Sequence, residues 1–219
     1  MSFTQQLHQA AQNIWQKSLV HPFITELQSG QLPLTKFRFY LLQDRYYLVE
    51  FSKFHHLLAE QAGNPQIKKF LLQSEADLRA CEWSVRSDFF TELKITPMEI
   101  RQTSVAPTAY NYVNHMYLTL ERDGFAPAIA AIVPCYWLYQ EIGQKLAKVG
   151  SPVTLYQTWI DTYDSDWYEV NVTHILQLIN TLSSQATVTD RQMMQTAFIR
   201  SSYYELQFWQ MAYAKERWQ

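Results

Sequence analysis

Glycine is scarce in this chain of 219 residues: there are five, and eight prolines are the only other strong breakers. Nearly all of them fall between long periodic segments, which predicts long helices. Strand signals are as thin, with no sustained period-two alternation and no Asn-Gly or Asp-Gly turn between β-rich runs. No repeat of fixed period and no low-complexity segment occurs, which excludes a solenoid. The fold class this leaves is all-α, a compact helical bundle read as one domain over 1–219.

Basic charge is not in excess either. Eighteen Lys and Arg stand against twenty Asp and Glu, for a net charge of −2, and they are scattered, so nucleic acid is not an expected partner. No stretch reaches the roughly 18 uninterrupted apolar residues of a membrane span, and the N-terminus lacks the basic and apolar regions of a signal peptide. A soluble, cytoplasmic protein without membrane contact is expected. Cysteine is limited to Cys81 and Cys135, far apart, which suits free thiols in a reducing compartment. Metal-binding signatures are missing as well: there is no Glu-x-x-His, Cys-x-x-Cys, His-Glu-x-x-His or Gly-rich phosphate loop, and the six histidines form no ligand-spaced pair. No metal and no cofactor is expected, although a single haem-ligating histidine would carry no spacing signature.

What the chain has in abundance is aromatic side chains, 14 Tyr, 12 Phe and 7 Trp. Many fall on apolar stripes, and each buried phenol needs a partner, so either an internal polar network or a cavity for a flat polar ligand is implied. The periodicity predicts helices over about 3–19, 35–62, 66–93, 108–122, 127–149, 152–162, 166–182 and 191–216, with a short piece closing at Ser29-Gly30. Thr96-Pro97-Met98-Glu99 has the form of a capping box with proline at the first helical position, and Thr189-Asp190 is read as the cap of the last helix.

Three stripes are interrupted by reactive groups. In the second long helix Phe37, Tyr40, Leu41, Asp44, Tyr47, Phe51, Phe54 and Leu58 share one face, which puts a carboxylate where packing alone would want Leu. Desolvation raises the pKa of such a group, which then serves as an ion-pair partner, as a proton donor or as an acceptor for a ligand amine. Tyr47 lies one turn on from it. The last helix does the same with Ala197, Phe198, Ser201, Glu205, Phe208 and Trp209. In the stretch Ala128-Ile-Ala-Ala-Ile-Val-Pro-Cys-Tyr-Trp-Leu-Tyr139 a mid-helix proline, costing ~3 kcal/mol, stands beside Cys135, with Tyr139 on the same face at i+4. Cys135 reads either as a core cysteine beside a kink or as a thiol aimed into a cavity. A thiol with two carboxylates and several phenols forms a nucleophile with acid/base partners.

The segments Val20-His-Pro-Phe23, Tyr40-Leu-Leu-Gln-Asp-Arg-Tyr-Tyr47, Pro107-Thr-Ala-Tyr-Asn-Tyr112, Pro134-Cys-Tyr-Trp-Leu-Tyr139, Trp159-Ile-Asp-Thr-Tyr163 and Ser201-Ser-Tyr-Tyr-Glu-Leu-Gln-Phe-Trp209 resemble, in order and spacing, the thiaminase II (TenA) family. The resemblance spans essentially the whole chain. It implies an all-α fold like that of haem oxygenase but without haem, a homotetramer, and hydrolysis of thiamin-derived pyrimidines in thiamin salvage. By the same resemblance Cys135 adds to the ring of 4-amino-5-aminomethyl-2-methylpyrimidine and Glu205 supplies and removes protons. Ammonia leaves, water takes its place, and the hydroxymethylpyrimidine is released; thiamin would react through the same intermediate. Asp44 is implied to grip the pyrimidine amine and ring nitrogen, Tyr47 to hydrogen-bond and activate the thiol, and Tyr112, Tyr139 and Tyr163 to line the pocket. Cys81 lies outside every matched segment and is assigned to structure. A non-catalytic binding protein or a haem- or quinone-type oxidase on this fold would not require Cys135, Glu205, Asp44 and Tyr47 together.

Overall fold

The computed structural model describes residues 1–80 and 88–219; Cys81, read as structural, lies outside them. Ten helices occur and no strand is found among the described residues, as the breaker pattern predicts. In order these are α1 (Phe3–Leu19), α2 (Pro22–Ser29), α3 (Leu34–Gln61), α4 (Pro65–Glu92), α5 (Pro97–Gln102), α6 (Pro107–Asp123), α7 (Phe125–Ala147), α8 (Thr154–Tyr163), α9 (Asp166–Gln185) and α10 (Val188–Ala214). Among the described residues no helix is long and apolar enough to cross a membrane.

The chain gathers into two compact units. The first comprises Met1–Leu32 and His115–Gln210, the second Pro33–Asn114 and Met211–Gln219. In the first unit α7 packs against both α8 and α9, while α1 packs on α9 and α2 on α1 and α8. The sequence explains why α7 takes that place: every residue from Ala128 to Pro134 is buried, and a helix apolar all round has no face to give to water. The second unit is built on α3 and α4, two helices of 28 residues packed on each other.

Local signals set most of the boundaries. Ser2 and Gln5 close a capping box on α1, His21 Nδ1 accepts from Phe23 N–H at 3.1 Å with Pro22 behind it to start α2, and Gly30 ends α2 at φ +76°. Three expectations are corrected. The Thr96 hydroxyl accepts from Glu99 N–H at 3.1 Å, but the Glu99 carboxylate does not return to the cap. Arg38 of α3 takes it instead, donating from Nε at 2.6 Å and from Nη2, and the same guanidinium caps the Leu93 carbonyl at the end of α4. That pairing holds the Glu99 carboxyl below the usual carboxylate range. The last helix starts three residues earlier than 191: Thr187 and Asp190 form a reciprocal cap, Asp190 N–H to Thr187 Oγ1 at 3.1 Å and Thr187 N–H to Asp190 Oδ2 at 3.2 Å, so α10 begins at Val188. And α7 begins at Phe125, two residues before Pro127, because Gly124 at φ +87° turns the chain into it.

His55 is wholly buried in α3, its Nδ1 donating to the Phe51 carbonyl at 2.7 Å and its ring edge-on to Phe51 at 4.5 Å. Burial pushes its pKa down to about 4. The unfolded imidazole takes a proton near pH 6.5, so between about 6.5 and 4 the unfolded state binds more protons than the folded one. Stability is therefore level above this window and falls as the pH drops through it, by about 3 kcal/mol from this group. Denaturant unfolding followed from pH 7.5 to 4 is expected to show that loss, and the His55→Leu variant is expected to show a shallower slope across the same window.

Candidate active site

In the first unit the site residues are built on α7. Cys135, Tyr139 and Gly143 stand at i, i+4 and i+8, one row on one face. Gly143 has a steric reason to lack a side chain: a Cβ there would come within 2.7 Å of the Tyr163 carbonyl carbon and 2.8 Å of its Cβ. The C-terminal end of α8 is thus laid directly on α7, and the Tyr163 ring falls 4.8 Å from that of Tyr139. Trp159, one turn earlier on α8, is 4.8 Å from Tyr163. From α10, Trp209 comes within 5.1 Å of Tyr139 and 6.2 Å of Trp159, and it stacks on Phe23 of α2 at 5.5 Å and 27°. Offset and edge contacts of this kind add to the apolar burial of each ring.

The reactive groups lie one turn from this aromatic cluster on their own helices. Cys135 precedes Tyr139 by four residues and its thiol is half-buried. Glu205 precedes Trp209 by four and is only 2% exposed. The expectation that Glu205 takes a core position in α10 is met. α10 is pinned at that level by the Trp15 indole, whose Nε1 donates to Ser202 Oγ at 2.9 Å. Pro134 sits inside α7, which continues unbroken to Ala147, and the Cys135 carbonyl accepts a hydrogen bond from the Tyr168 hydroxyl of α9 at 3.2 Å.

The second unit holds Asp44, Tyr47 and Tyr112. Asp44 is 7% exposed on α3, buried where the stripe places it. Tyr47, one turn on, stacks between Phe51 at 5.3 Å and Tyr112 of α6 at 4.8 Å. Tyr112 is brought there by the residue beside Asp44. The buried Gln43 amide donates to the Ser104 carbonyl at 3.0 Å and accepts from Ala106 N–H at 2.8 Å, which fixes the entry to α6. Glu216 accepts from Thr108 N–H at 2.9 Å and the Trp218 indole donates to the Val105 carbonyl at 2.8 Å, holding the same segment from the C-terminal tail.

Of the seven residues singled out in the sequence, four belong to the first unit (Cys135, Tyr139, Tyr163, Glu205) and three to the second (Asp44, Tyr47, Tyr112). Gly143, Gln43, Trp209 and Tyr168, which pack or hydrogen-bond around them, were not singled out. Gly143 alone carried a signal, as a glycine kept inside a long helix despite its cost. Chemically, the first unit offers a half-buried thiol, a buried carboxyl group and aromatic faces; the second offers a buried carboxyl group one helical turn from Tyr47, itself stacked on Tyr112. Among the described residues no group of three or more His, Cys, Asp or Glu is arranged to hold a metal ion.

Comparison with known proteins bears on this arrangement. Residues 8–215 match the model of the TENA/THI-4/PQQC family. An aminopyrimidine aminohydrolase of Bacillus subtilis (strain 168) is 37% identical over 218 residues, covering 100% of this chain and 92% of the relative. A second aminopyrimidine aminohydrolase, from Halalkalibacterium halodurans, is 29% identical over 221 residues, covering 100% and 98%. Among solved structures, a TenA homologue from P. horikoshii OT3 superimposes with a TM-score of 0.90 at 28% identity, covering 98% of this chain and 99% of its own.

The close approach at Gly143 makes a sharp expectation. Gly143→Ala gains up to ~1 kcal/mol in helix propensity but must push Tyr163 away, and overpacking of this kind costs about 1–3 kcal/mol. Urea unfolding is expected to show net destabilisation with an altered near-ultraviolet aromatic signal, whereas Gly63→Ala, where a Cβ meets nothing within 4 Å, leaves both unchanged.

Proposed function

From its membership of the TENA/THI-4/PQQC family, to which this chain belongs, we propose that the protein is an aminopyrimidine aminohydrolase. It converts 4-amino-5-aminomethyl-2-methylpyrimidine and water to the hydroxymethylpyrimidine and ammonia, and it cleaves thiamin by the same route. The observation that carries the reading is the half-buried thiol of Cys135 one turn from the ring of Tyr139, in a unit whose buried Glu205 stands one turn from the Trp209 ring packed on that same Tyr139.

An amine on an aromatic methylene is a poor leaving group while the ring keeps its aromaticity. The Cys135 thiolate relieves this by adding to the unsubstituted ring carbon next to the one that bears the methylene. The ring then carries an electron pair that expels the amine, protonated as it leaves, and an exocyclic double bond forms. Water adds to that methylene, giving up a proton, and loss of the thiolate restores the aromatic ring. Glu205 carries both protons, one to the leaving amine and one from the water, and its burial keeps it from exchanging them freely with solvent. Tyr139 and Tyr163 supply flat faces for the heteroaromatic ring. Asp44 is assigned to the amine and ring nitrogen of the pyrimidine, an edge that matches a carboxylate with charge-assisted hydrogen bonds, with Tyr112 as a lining phenol and Tyr47 as the phenol that activates the thiol. Assembly as a homotetramer and a cytoplasmic location come with the family resemblance and are proposed on that ground.

Ammonia release from the aminomethylpyrimidine tests the reading. Cys135→Ser and Glu205→Gln are each expected to lower kcat by about a hundredfold or more, and Asp44→Asn to act chiefly on KM. Full activity in Cys135→Ser would remove the thiol from the mechanism.

A further inference from the structure

Pro134 leaves the turn that carries Cys135 short of support. It has no N–H, so the Ala130 carbonyl loses its donor within α7, and its ring crowds that same carbonyl. A nucleophile on such a turn needs to be held from outside its own helix. The Tyr168 hydroxyl of α9 meets that need, donating to the Cys135 carbonyl at 3.2 Å in addition to the bond that carbonyl makes within α7. The Tyr168 ring also stands edge-on to Tyr163 at 5.2 Å and 85°, so one side chain touches both the backbone of Cys135 and a ring of the aromatic cluster.

Tyr168 is itself fixed. Ser165 caps α9 by accepting from Tyr168 N–H at 3.3 Å, and its hydroxyl donates to the Thr162 carbonyl at 2.9 Å, in the last turn of α8. A chain of hydrogen bonds thus runs from the end of α8, whose last residue is Tyr163, through Ser165 and Tyr168 to Cys135. We propose that Tyr168 is a positioning residue for the reaction: through its hydroxyl it sets the distance between the Cys135 thiol and a ring lying against Tyr139 and Tyr163. Its hydroxyl acts through the backbone carbonyl of Cys135. This rests on the reading of Cys135 as the nucleophile, and it makes the spacing of thiol and aromatic faces depend on α9.

Tyr168→Phe keeps the ring on Tyr163 and removes only the hydroxyl. With ammonia release as the assay, kcat is expected to fall about tenfold while KM stays within twofold, since misplacing a reacting atom costs rate rather than affinity. Alkylation of Cys135 by iodoacetamide in the free protein is expected to stay within twofold of wild type, because a small reagent does not depend on that spacing. Ser165→Ala, which loosens the turn carrying Tyr168 and keeps the hydroxyl, is expected to lower kcat by a smaller factor at constant KM, and it serves if Tyr168→Phe fails to fold. Unchanged kcat in the variants overturns the proposal, as does a fall in kcat matched by an equal rise in KM or an equal loss of alkylation. Cys135→Ser run alongside separates the two levels: if it is active, the nucleophile reading fails whatever Tyr168 does, and if it is inactive while Tyr168→Phe matches wild type, the positioning role alone fails.

Discussion

In the first unit the decisive contact is the one at Gly143, where the absence of a single methyl group lets the end of α8 rest on α7 with the Tyr163 backbone inside the distance a Cβ would occupy. Helix axes this close bring whole rows of side chains into register. Tyr139, one turn before Gly143, meets Tyr163, and the ring of Trp209 is added from α10. Cys135 is one further turn along the same row. Ala128–Pro134 are buried on all sides, so the turn that leads into Cys135 lies inside the core, and the contact at Gly143 fixes which face of α7 meets α8.

Buried carboxylates mark the second constraint. Asp44 and Glu205, 7% and 2% exposed, occupy positions that Leu would fill at a gain in stability, and burying a charged group costs several kcal/mol unless its surroundings compensate. Two carboxyl groups in two separate stripes, with a thiol in a third, are the groups that the proposed reaction uses as reader of an amidine-like edge, proton carrier and nucleophile.

Much of this was legible in the sequence because it depends on local rules. Asp44, Glu205 and Cys135 interrupt apolar periodicity, and the long helices follow from the scarcity of breakers. What escaped depends on partners far along the chain. Glu99 looks like a capping residue until Arg38, 61 residues earlier, takes its carboxylate. Gln43 looks like an ordinary polar residue beside Asp44, and its amide fixes the 104–106 segment that carries Tyr112 to Tyr47. Tyr168 belongs to no stripe that would single it out. The cap of α10 was missed for a different reason: Thr187 and Thr189 both precede Asp190, and only the geometry decides that Thr187 closes the ring of hydrogen bonds.

The proposed chemistry stands or falls on whether sulfur bonds to the pyrimidine ring before the amine departs. The secondary deuterium isotope effect on kcat/KM, measured with aminomethylpyrimidine deuterated at its one unsubstituted ring carbon, reads this directly. Addition of the Cys135 thiolate converts that carbon from trigonal to tetrahedral, so the deuterated substrate is expected to react faster, an inverse effect. A normal effect, or none, would contradict covalent addition at that carbon.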